Sequence, residues 1–318
     1  MPKHHKVFAF FQPFNGECPA GQVIHGFLGT KSRPEFFARS APEPRDTNRH
    51  VNAPYPLFNE DYFEWIDVLQ SVIDAKKSYT MIELGAGIGC WAVRAAYAVE
   101  QYNPNLPYRL IAVEAEPTHF EWMRAHFLDN GIDPDQHLLI HAAVSEKPGE
   151  ASFYVENPGG STDPGAWYGQ ALTKDYEVDL PSPDAIYGNF SVRRHQSGAK
   201  SITVPAVTLA GILDGLRLVD LIHVDIQGAE FGVIRSAIQE LDQKVKRLHI
   251  GTHGRDIEAG LRELLKSHHW RCLADYPSFS QEPTPWGPID FQDGVQSWIN
   301  PRFGGPWGRL SAWLTRKK

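Results

Sequence analysis

Apolar positions along the chain follow two spacings in turn, and this alternation predicts an α/β fold. In residues 61–76, Phe63, Ile66, Leu69 and Ile73 recur at the spacing of one helical face. Short apolar runs typical of buried strands follow, and they lie at 79–84, 109–114, 137–143, 219–225, 247–251 and 271–276. Because helical segments separate most of these runs, the pattern predicts a mostly parallel sheet with helices on both faces.

Proline and glycine mark the segments that interrupt the alternation. Residues 1–60 contain five prolines between positions 34 and 56, so we expect an irregular arm lying over the main domain. Residues 157–201 are long and rich in glycine, proline and aromatic residues, and we expect them to cover a substrate site. The turn signal Asp293-Gly294 predicts a hairpin within 289–299. The predicted organisation is an arm (1–60), a main domain (61–276) and a C-terminal hairpin and tail (277–318).

The first predicted strand ends in the run Glu83-Leu84-Gly85-Ala86-Gly87-Ile88-Gly89. Glycines permit positive φ and close approach of a ligand to the backbone, and the turn leads to the N-terminus of the next helix. The acid-x-G-x-G-x-G spacing resembles the S-adenosylmethionine (SAM) turn of class I methyltransferases, in which the acid lies near the cationic end of the cofactor. Gly87, Gly89 and Ala92 also fit a dinucleotide fingerprint. The turn alone leaves both cofactors open.

Chemically distinctive residues follow the other predicted strands, where ligands bind in open α/β sheets. Glu114 ends the second strand, 25 residues after Gly89, and is expected to accept hydrogen bonds from ribose hydroxyls. Ala115 comes next, and Ala143 at the end of the third strand is expected to border an adenine.

The fourth and fifth strands carry the candidate catalytic residues. Asp225 and Gln227 follow the fourth strand and His253 follows the fifth, so neighbouring strands would bring them together. Histidine is the usual general base near neutral pH, and we therefore predict His253 as the base and Asp225 as its orienting partner. In an alternative, Asp225 and His253 share a divalent cation that lowers the pKa of an acceptor hydroxyl. His223, inside the fourth strand, is expected to be a hydrogen-bonded core residue.

Taken together, Glu83–Gly89, Glu114, the run Val219–Glu230 and His249–His253 resemble the FkbM family of SAM-dependent methyltransferases. The resemblance implies a Rossmann-like class I fold with a seven-stranded sheet whose last strand is antiparallel. It also implies O-methylation of a hydroxyl on a sugar, glycan or secondary metabolite. The residues predicted to bind SAM are Glu83, Gly85, Ala86, Gly87, Gly89, Glu114, Ala115, Ala143, Asp225 and Gln227.

Two other functions remain open: a nicotinamide-dependent oxidoreductase, and a non-catalytic glycan- or partner-binding protein that keeps the fold. The chain has 318 residues and a net charge of −7, and its basic run is confined to 316–318, which argues against a general nucleic-acid surface. Three scattered cysteines predict reduced thiols in the cytoplasm. No apolar run approaches membrane-spanning length. The expected partner is a small-molecule or glycan acceptor.

Overall fold

A seven-stranded sheet forms the centre of the protein. The structure is a computed structural model, and it describes residues 3–21, 23–36, 47–155, 170–173, 179–180, 186–187, 189–195 and 200–303. The strands are β1 (Tyr79–Leu84), β2 (Tyr108–Glu114), β3 (Leu138–His141), β4 (Leu221–Val224), β5 (Arg247–Thr252), β6 (Arg271–Tyr276) and β7 (Gly294–Ile299).

The strands lie in the order β6-β7-β5-β4-β1-β2-β3. Strands β1 to β5 run parallel, and β7 lies antiparallel between β5 and β6. This topology confirms the predicted α/β fold, a Rossmann-like class I methyltransferase sheet of seven mostly parallel strands.

Helices cover both faces of the sheet, as the apolar pattern predicts. They are α1 (Asp61–Asp74), α2 (Cys90–Tyr102), α3 (Pro117–Asp129), α4 (Leu209–Leu213), α5 (Glu230–Ser236), α6 (Ile238–Lys244) and α7 (Arg255–Ser267). Successive side chains of a strand point to opposite faces, so Met81 packs in the cluster with α1, α2 and α3, and Ile82 packs in the cluster with α4 to α7. The inner strands β1, β2, β4 and β5 are mostly buried on both faces, which explains their continuous apolar runs.

Local sequence sets the start and end of α3. Pro117 takes the first helical position, where its missing N–H costs nothing, and the Glu116 carboxylate accepts a hydrogen bond of 2.6 Å from the His119 N–H. Asn130 and Gly131 end the helix, with Gly131 at φ 73°. Glu116 is therefore the capping acid at this corner, which leaves Glu114 available for another role.

The N-terminal arm contains regular structure, unlike the irregular arm that the prolines predict. Asn15–Cys18 pairs with Arg49–Asn52, and Val23–His25 pairs with Thr30–Ser32. The Phe8 ring stacks on Tyr62 of α1 at a centroid distance of 5.1 Å. The short strands pair within the arm, which is how a proline-rich segment satisfies its backbone while it packs against the main domain.

The C-terminal region differs from the predicted hairpin at 289–299. The hairpin is formed by Ser280–Thr284 and Gly287–Phe291, and the chain then turns at Asp293-Gly294 to place β7 inside the main sheet. The seventh strand therefore lies beyond the predicted domain boundary at residue 276. The Asp-Gly signal marks a real turn, but the strand after it finds its partners in β5 and β6.

A smaller sheet flanks the main one and includes parts of the predicted covering segment. Gly149–Tyr154 pairs with Lys200–Val207, which also pairs with Arg193–His195 and Ala143–Val144. Residues 157–201 thus contribute strands as well as loop. Trp167, Tyr168 and Tyr176 of that segment, and the tail 304–318, lie outside the described residues.

Candidate active site

A cavity of about 230 Å³ opens at the carboxyl ends of β1, β2 and β4. Nine of the ten residues predicted to bind a cofactor line it: Glu83, Gly85, Ala86, Gly87, Glu114, Ala115, Ala143, Asp225 and Gln227. These residues come from the ends of four separate strands, so the parallel register of the sheet is what gathers them. Gly89, the tenth predicted residue, is not part of this lining.

The glycines of the β1–α2 turn have different tasks. A Cβ on Gly85 would overlap the backbone carbonyl oxygen of Asp225, so Gly85 lets the turn pack directly against the end of β4. A Cβ on Gly87 would meet no atom within 4 Å, so this residue faces open space in the cavity, with φ 53°. A Cβ on Gly89 would lie 2.9 Å from Phe127 and 3.0 Å from Met123, so Gly89 admits α3 rather than a ligand.

The carboxylate of Glu83 is buried and binds the first turn of α2. Its oxygens accept hydrogen bonds from the Trp91 N–H at 3.1 Å and the Ala92 N–H at 2.8 Å. Burial raises the pKa of Glu83 to about 8, although these two N–H groups partly oppose the rise. Because two carboxylate oxygens offer about four lone-pair positions, Glu83 keeps acceptor capacity for a ligand in the cavity.

The carboxylate of Glu114 connects the end of β2 to the glycine turn. Its oxygens accept hydrogen bonds of 2.6 Å from the Gly87 N–H and 2.7 Å from the Glu116 N–H. Burial raises the pKa of Glu114 to about 8. The structure thus places this acid against the one glycine of the turn that faces open space, at the position where the sequence predicts ribose binding.

A cluster of charged groups surrounds His253 beside the cavity. His253 Nδ1 lies 2.8 Å from Glu230 Oε1, and Nε2 lies 3.5 Å from a carboxylate oxygen of both Asp225 and Asp293. Gln227 adopts φ 52° and its amide donates a 2.9 Å hydrogen bond to Asp225 Oδ1. The predicted pair Asp225 and His253 is therefore close in space. Asp293 is a second acid on the Nε2 side of the imidazole, and Glu230 is the acid on the Nδ1 side.

The charge of His253 differs from what a general base requires. Burial alone would lower its pKa, but the interactions with Asp293 and Glu230 and the charge of Asp225 outweigh burial and raise the pKa of His253 to about 10. The imidazole is consequently protonated near neutral pH. Burial raises the pKa of Asp225 above its usual value, and the charges of His253 and His223 oppose this rise only in part.

Side chains that could bind a metal ion also converge at a second place. In the described ranges, Glu64, His223 and His249 each offer one ligand atom within 4.8 Å of the others, and Asp225 and His253 are not members of this group of three. His223 is buried and its Nε2 lies 3.0 Å from Glu64 Oε2, in keeping with the predicted hydrogen-bonded core histidine.

Residues that are not among those predicted to bind SAM also line the cavity. They are Phe36, Ile88, Cys90, Trp91, Val113, His119, Ala142, Val144, Phe153, Gln170, Leu172, His223 and Ile226. Phe36 comes from the N-terminal arm, and Gln170 and Leu172 come from the predicted covering segment. The aromatic and polar composition of 157–201 was the signal for that segment as a whole, but nothing identified these two positions.

Comparisons with known proteins place the chain in a family. The description "Methyltransferase FkbM domain" belongs to the family profile that matches residues 83–266, which is more than half of the chain. A protein named "Putative methyltransferase" from Jannaschia sp. (strain CCS1) is 28% identical over 267 residues, covering 83% of this chain and 88% of that protein.

Solved structures with a similar arrangement are more distant. Precorrin-6y C5,15-methyltransferase from Geobacter metallireducens GS-15 has 11% identity and a TM-score of 0.38, over 73% of this chain and 86% of that one. Methyltransferase FkbM from Methylobacillus flagellatus KT has 11% identity and a TM-score of 0.38, over 70% of this chain and 44% of that one.

Helix length bears on membrane association. Across the described ranges, no helix combines the length and the apolar character needed to cross a bilayer.

The assignment to a family rests on the profile match, which spans β1 to α7 and includes the glycine turn from Glu83 onward, together with Glu114, Asp225 and His253. The chain belongs to the FkbM methyltransferase family.

Proposed function

We propose that the protein is a SAM-dependent O-methyltransferase whose acceptor is a hydroxyl of a sugar, glycan or secondary metabolite. One observation carries this proposal: Glu114 bonds to the open glycine Gly87 in the same cavity that Asp225 lines. Glu114, which could bind a nucleoside, and the Asp225 carboxylate, which could accept a proton, thus line the same cavity.

The residues present fit SAM. Glu114 can accept hydrogen bonds from two ribose hydroxyls, and Gly87 has no side chain to obstruct their approach. The spare lone pairs of Glu83 suit a cationic amino group, and Ala115 and Ala143 supply small surfaces for an adenine. When bound, SAM supplies an electrophilic methyl group, so the chain's own residues mainly have to orient the acceptor and remove its proton.

Within the catalytic pair, we propose that Asp225 accepts the hydroxyl proton and that His253 orients it. The Asp225 side chain is 40% exposed and lines the cavity, whereas the His253 side chain is 14% exposed and already protonated. With SAM bound, the proton of the acceptor hydroxyl would pass to the Asp225 carboxylate. The acceptor oxygen would gain the methyl group as the methyl–sulfur bond breaks, and the demethylated cofactor would be the leaving group. These roles reverse the ones expected from sequence, because three carboxylates surround the imidazole.

Charge supports a SAM site over a nicotinamide dinucleotide site. Burial raises the pKa of both Glu83 and Glu114 to about 8. A cationic cofactor would favour their ionised form and be attracted to it, whereas a pyrophosphate at the glycine turn would oppose their ionisation. A non-catalytic protein of the same fold would bind the cofactor product S-adenosylhomocysteine (SAH) but would methylate no acceptor.

We also propose a small-molecule or glycan acceptor rather than a nucleic acid, in a cytoplasmic setting. Asp225, Glu230 and Asp293 cluster beside the cavity and would repel a phosphate backbone. The three cysteines are free thiols, as in a reducing compartment. Mobility-shift titration with a short RNA and a DNA duplex checks the first point, and tight binding of either would contradict it.

Calorimetric titration with SAH and with NAD tests the proposed cofactor. We expect SAH to bind and NAD not to bind. The Glu114→Ala variant should lose about 1–3 kcal/mol of SAH binding energy for each charge-assisted ribose hydrogen bond. The control Glu121→Ala removes an exposed acid on α3 and should bind SAH like the wild type. Equal SAH affinity in Glu114→Ala and the wild type would refute the site.

A further inference from the structure

Two histidines and a glutamate meet beneath the cavity. His223 of β4 and His249 of β5 are register partners on adjacent parallel strands, and their rings are parallel within 2° at a centroid distance of 5.4 Å. Helix α1 packs across these strands and brings Glu64 Oε2 to 3.0 Å from His223 Nε2. One possible ligand atom from each residue lies within 4.8 Å of the others.

Asp67 fixes the orientation of the His249 ring through a hydrogen bond to its Nδ1 atom. Asp67 Oδ2 lies 2.8 Å from His249 Nδ1, and Asp67 also accepts hydrogen bonds from Arg247 at 2.7 Å and from Ser297 Oγ. The carboxylate is an acceptor, so His249 Nδ1 is the donor and the lone pair of a neutral ring lies on Nε2. A carboxylate bonded to the far nitrogen of a histidine is the usual arrangement behind a metal-binding imidazole.

Two buried ring nitrogens of this cluster have no hydrogen-bond partner within the described residues. His249 is 1% exposed and His223 is 3% exposed. Within the described residues, His249 Nε2 and His223 Nδ1 make no hydrogen bond although both atoms are buried. An unsatisfied buried polar atom costs about 1–3 kcal/mol. A purely structural network of Glu64, His223 and His249 does not offset this cost, because the Glu64–His223 hydrogen bond leaves His249 Nε2 without a partner.

We propose that Glu64, His223 and His249 bind one divalent transition-metal ion, and that the donor set suits Zn²⁺. Two imidazoles and one carboxylate are a known ligand set for four-coordinate zinc with one open position. Bonds of about 2.0–2.1 Å place tetrahedral ligand atoms about 3.3 Å apart. The two rings, which lie parallel in the structure, would therefore turn toward the ion, and the three ligand atoms would move closer together on binding. The Glu64 side chain is 18% exposed, which gives the ion a route of entry.

The ion would join three elements at the base of the cavity. Glu64 belongs to α1, and the two histidines belong to β4 and β5, so one ion would fix the helix to the sheet. His223 itself lines the cavity, and its ring lies 5.6 Å from Trp91, which also lines it. The site is separate from Asp225 and His253 and does not depend on the identity of the methyl acceptor.

Zinc binding to the full chain tests the site directly. The chelator-treated protein is titrated with ZnCl₂ against a chromogenic chelator, and with CoCl₂ to record the visible absorption of bound Co²⁺. We expect one tight Zn²⁺ per chain and a Co²⁺ spectrum of low coordination number. Glu64→Gln, His223→Gln and His249→Gln should each weaken Zn²⁺ binding by more than about 100-fold. His50→Gln, which changes a half-exposed histidine of the arm, should bind like the wild type.

Glu64→Gln keeps the proposal falsifiable if the buried histidine variants fail to fold. Glutamine retains the volume of Glu64 and a hydrogen-bonding partner for His223, but removes the anionic ligand. Its fold is checked by circular dichroism and thermal melting without metal. The proposal is overturned if the wild type binds no Zn²⁺ equivalent tightly, or if folded Glu64→Gln binds Zn²⁺ and Co²⁺ as the wild type does.

Discussion

The protonated state of His253 has a measurable consequence for stability. Its pKa rises from 6.5 to about 10 on folding, since the surrounding carboxylates outweigh the effect of burial. A raised folded-state pKa stabilises the protein fully below pH 6.5, and the stabilisation is lost as pH rises through about 10. Applied to this shift, linkage gives at most about 4 kcal/mol from His253 at pH 7 and about 0.4 kcal/mol at pH 10.

The His253→Gln variant isolates this contribution. Urea unfolding of the variant and the wild type at pH 7, 8.5 and 10 measures the difference in free energy of unfolding. We expect that difference to shrink by up to about 3.5 kcal/mol between pH 7 and pH 10. Other groups that titrate in this range act on both proteins and cancel. The His50→Gln control should show no such trend.

Parallel loss of stability in the two proteins would refute the reasoning. His253 would then not be held as a cation by Glu230, Asp225 and Asp293, and the proposed transfer of the base role to Asp225 would lose its basis. A direct titration of the His253 imidazole by NMR in the wild type gives the same answer if the variant does not fold. A midpoint near 6.5 would contradict the expected value of about 10.

Three further predictions concern the cavity and the core. Gly87→Val should abolish SAH binding in calorimetry, because its side chain enters the open space, whereas Gly89→Ala should chiefly lower the melting temperature through contact with α3; wild-type SAH affinity in Gly87→Val would contradict this. Asp225→Asn should bind SAH but lose about 10²–10⁴-fold in turnover, and unchanged turnover would exclude it as the proton acceptor. Burial would raise the pKa of Asp242, but hydrogen bonds to its carboxylate, first that from His268, lower the pKa below its usual value. Asp242→Asn should therefore cost the most stability above pH 4, and the cost should fall as the pH drops below 4. A pH-independent cost in urea unfolding would contradict this.

The sheet was predictable because its signals are local. The run Tyr79–Leu84 reads as a buried strand from its own residues, and the structure gives the same bounds. Pro117 and Gly131 likewise mark α3 by their own backbone preferences. The position of β7 was not predictable, since Asp293-Gly294 specifies a turn but not the partner of the strand that follows it. Strand pairing between distant segments depends on surfaces that exist only after folding.

The site was predictable in position but less so in charge and ligand set. Glu114, Asp225 and His253 follow strand ends, and the parallel register gathers strand ends whatever their chemistry. The raised pKa of His253 depends on Glu230 and Asp293, which come from α5 and from the turn before β7. The cluster of Glu64, His223 and His249 was not predictable, because Glu64 lies on α1 and the sequence pattern of that helix indicates only packing.

The placement of β7 between β5 and β6 bears on how the chain reaches its native state during synthesis. Both neighbours are made before Gly294–Ile299, yet neither has its full set of backbone partners until that strand arrives. A nascent chain that ends before residue 294 therefore leaves one edge of β5 unpaired and β6 without its neighbour in the sheet, and unpaired strand edges are templates for pairing with another chain. Closure of the sheet by β7 joins partners that are distant in sequence, so we expect nascent chains that lack β7 to aggregate more readily and to depend more on chaperones than chains that include it.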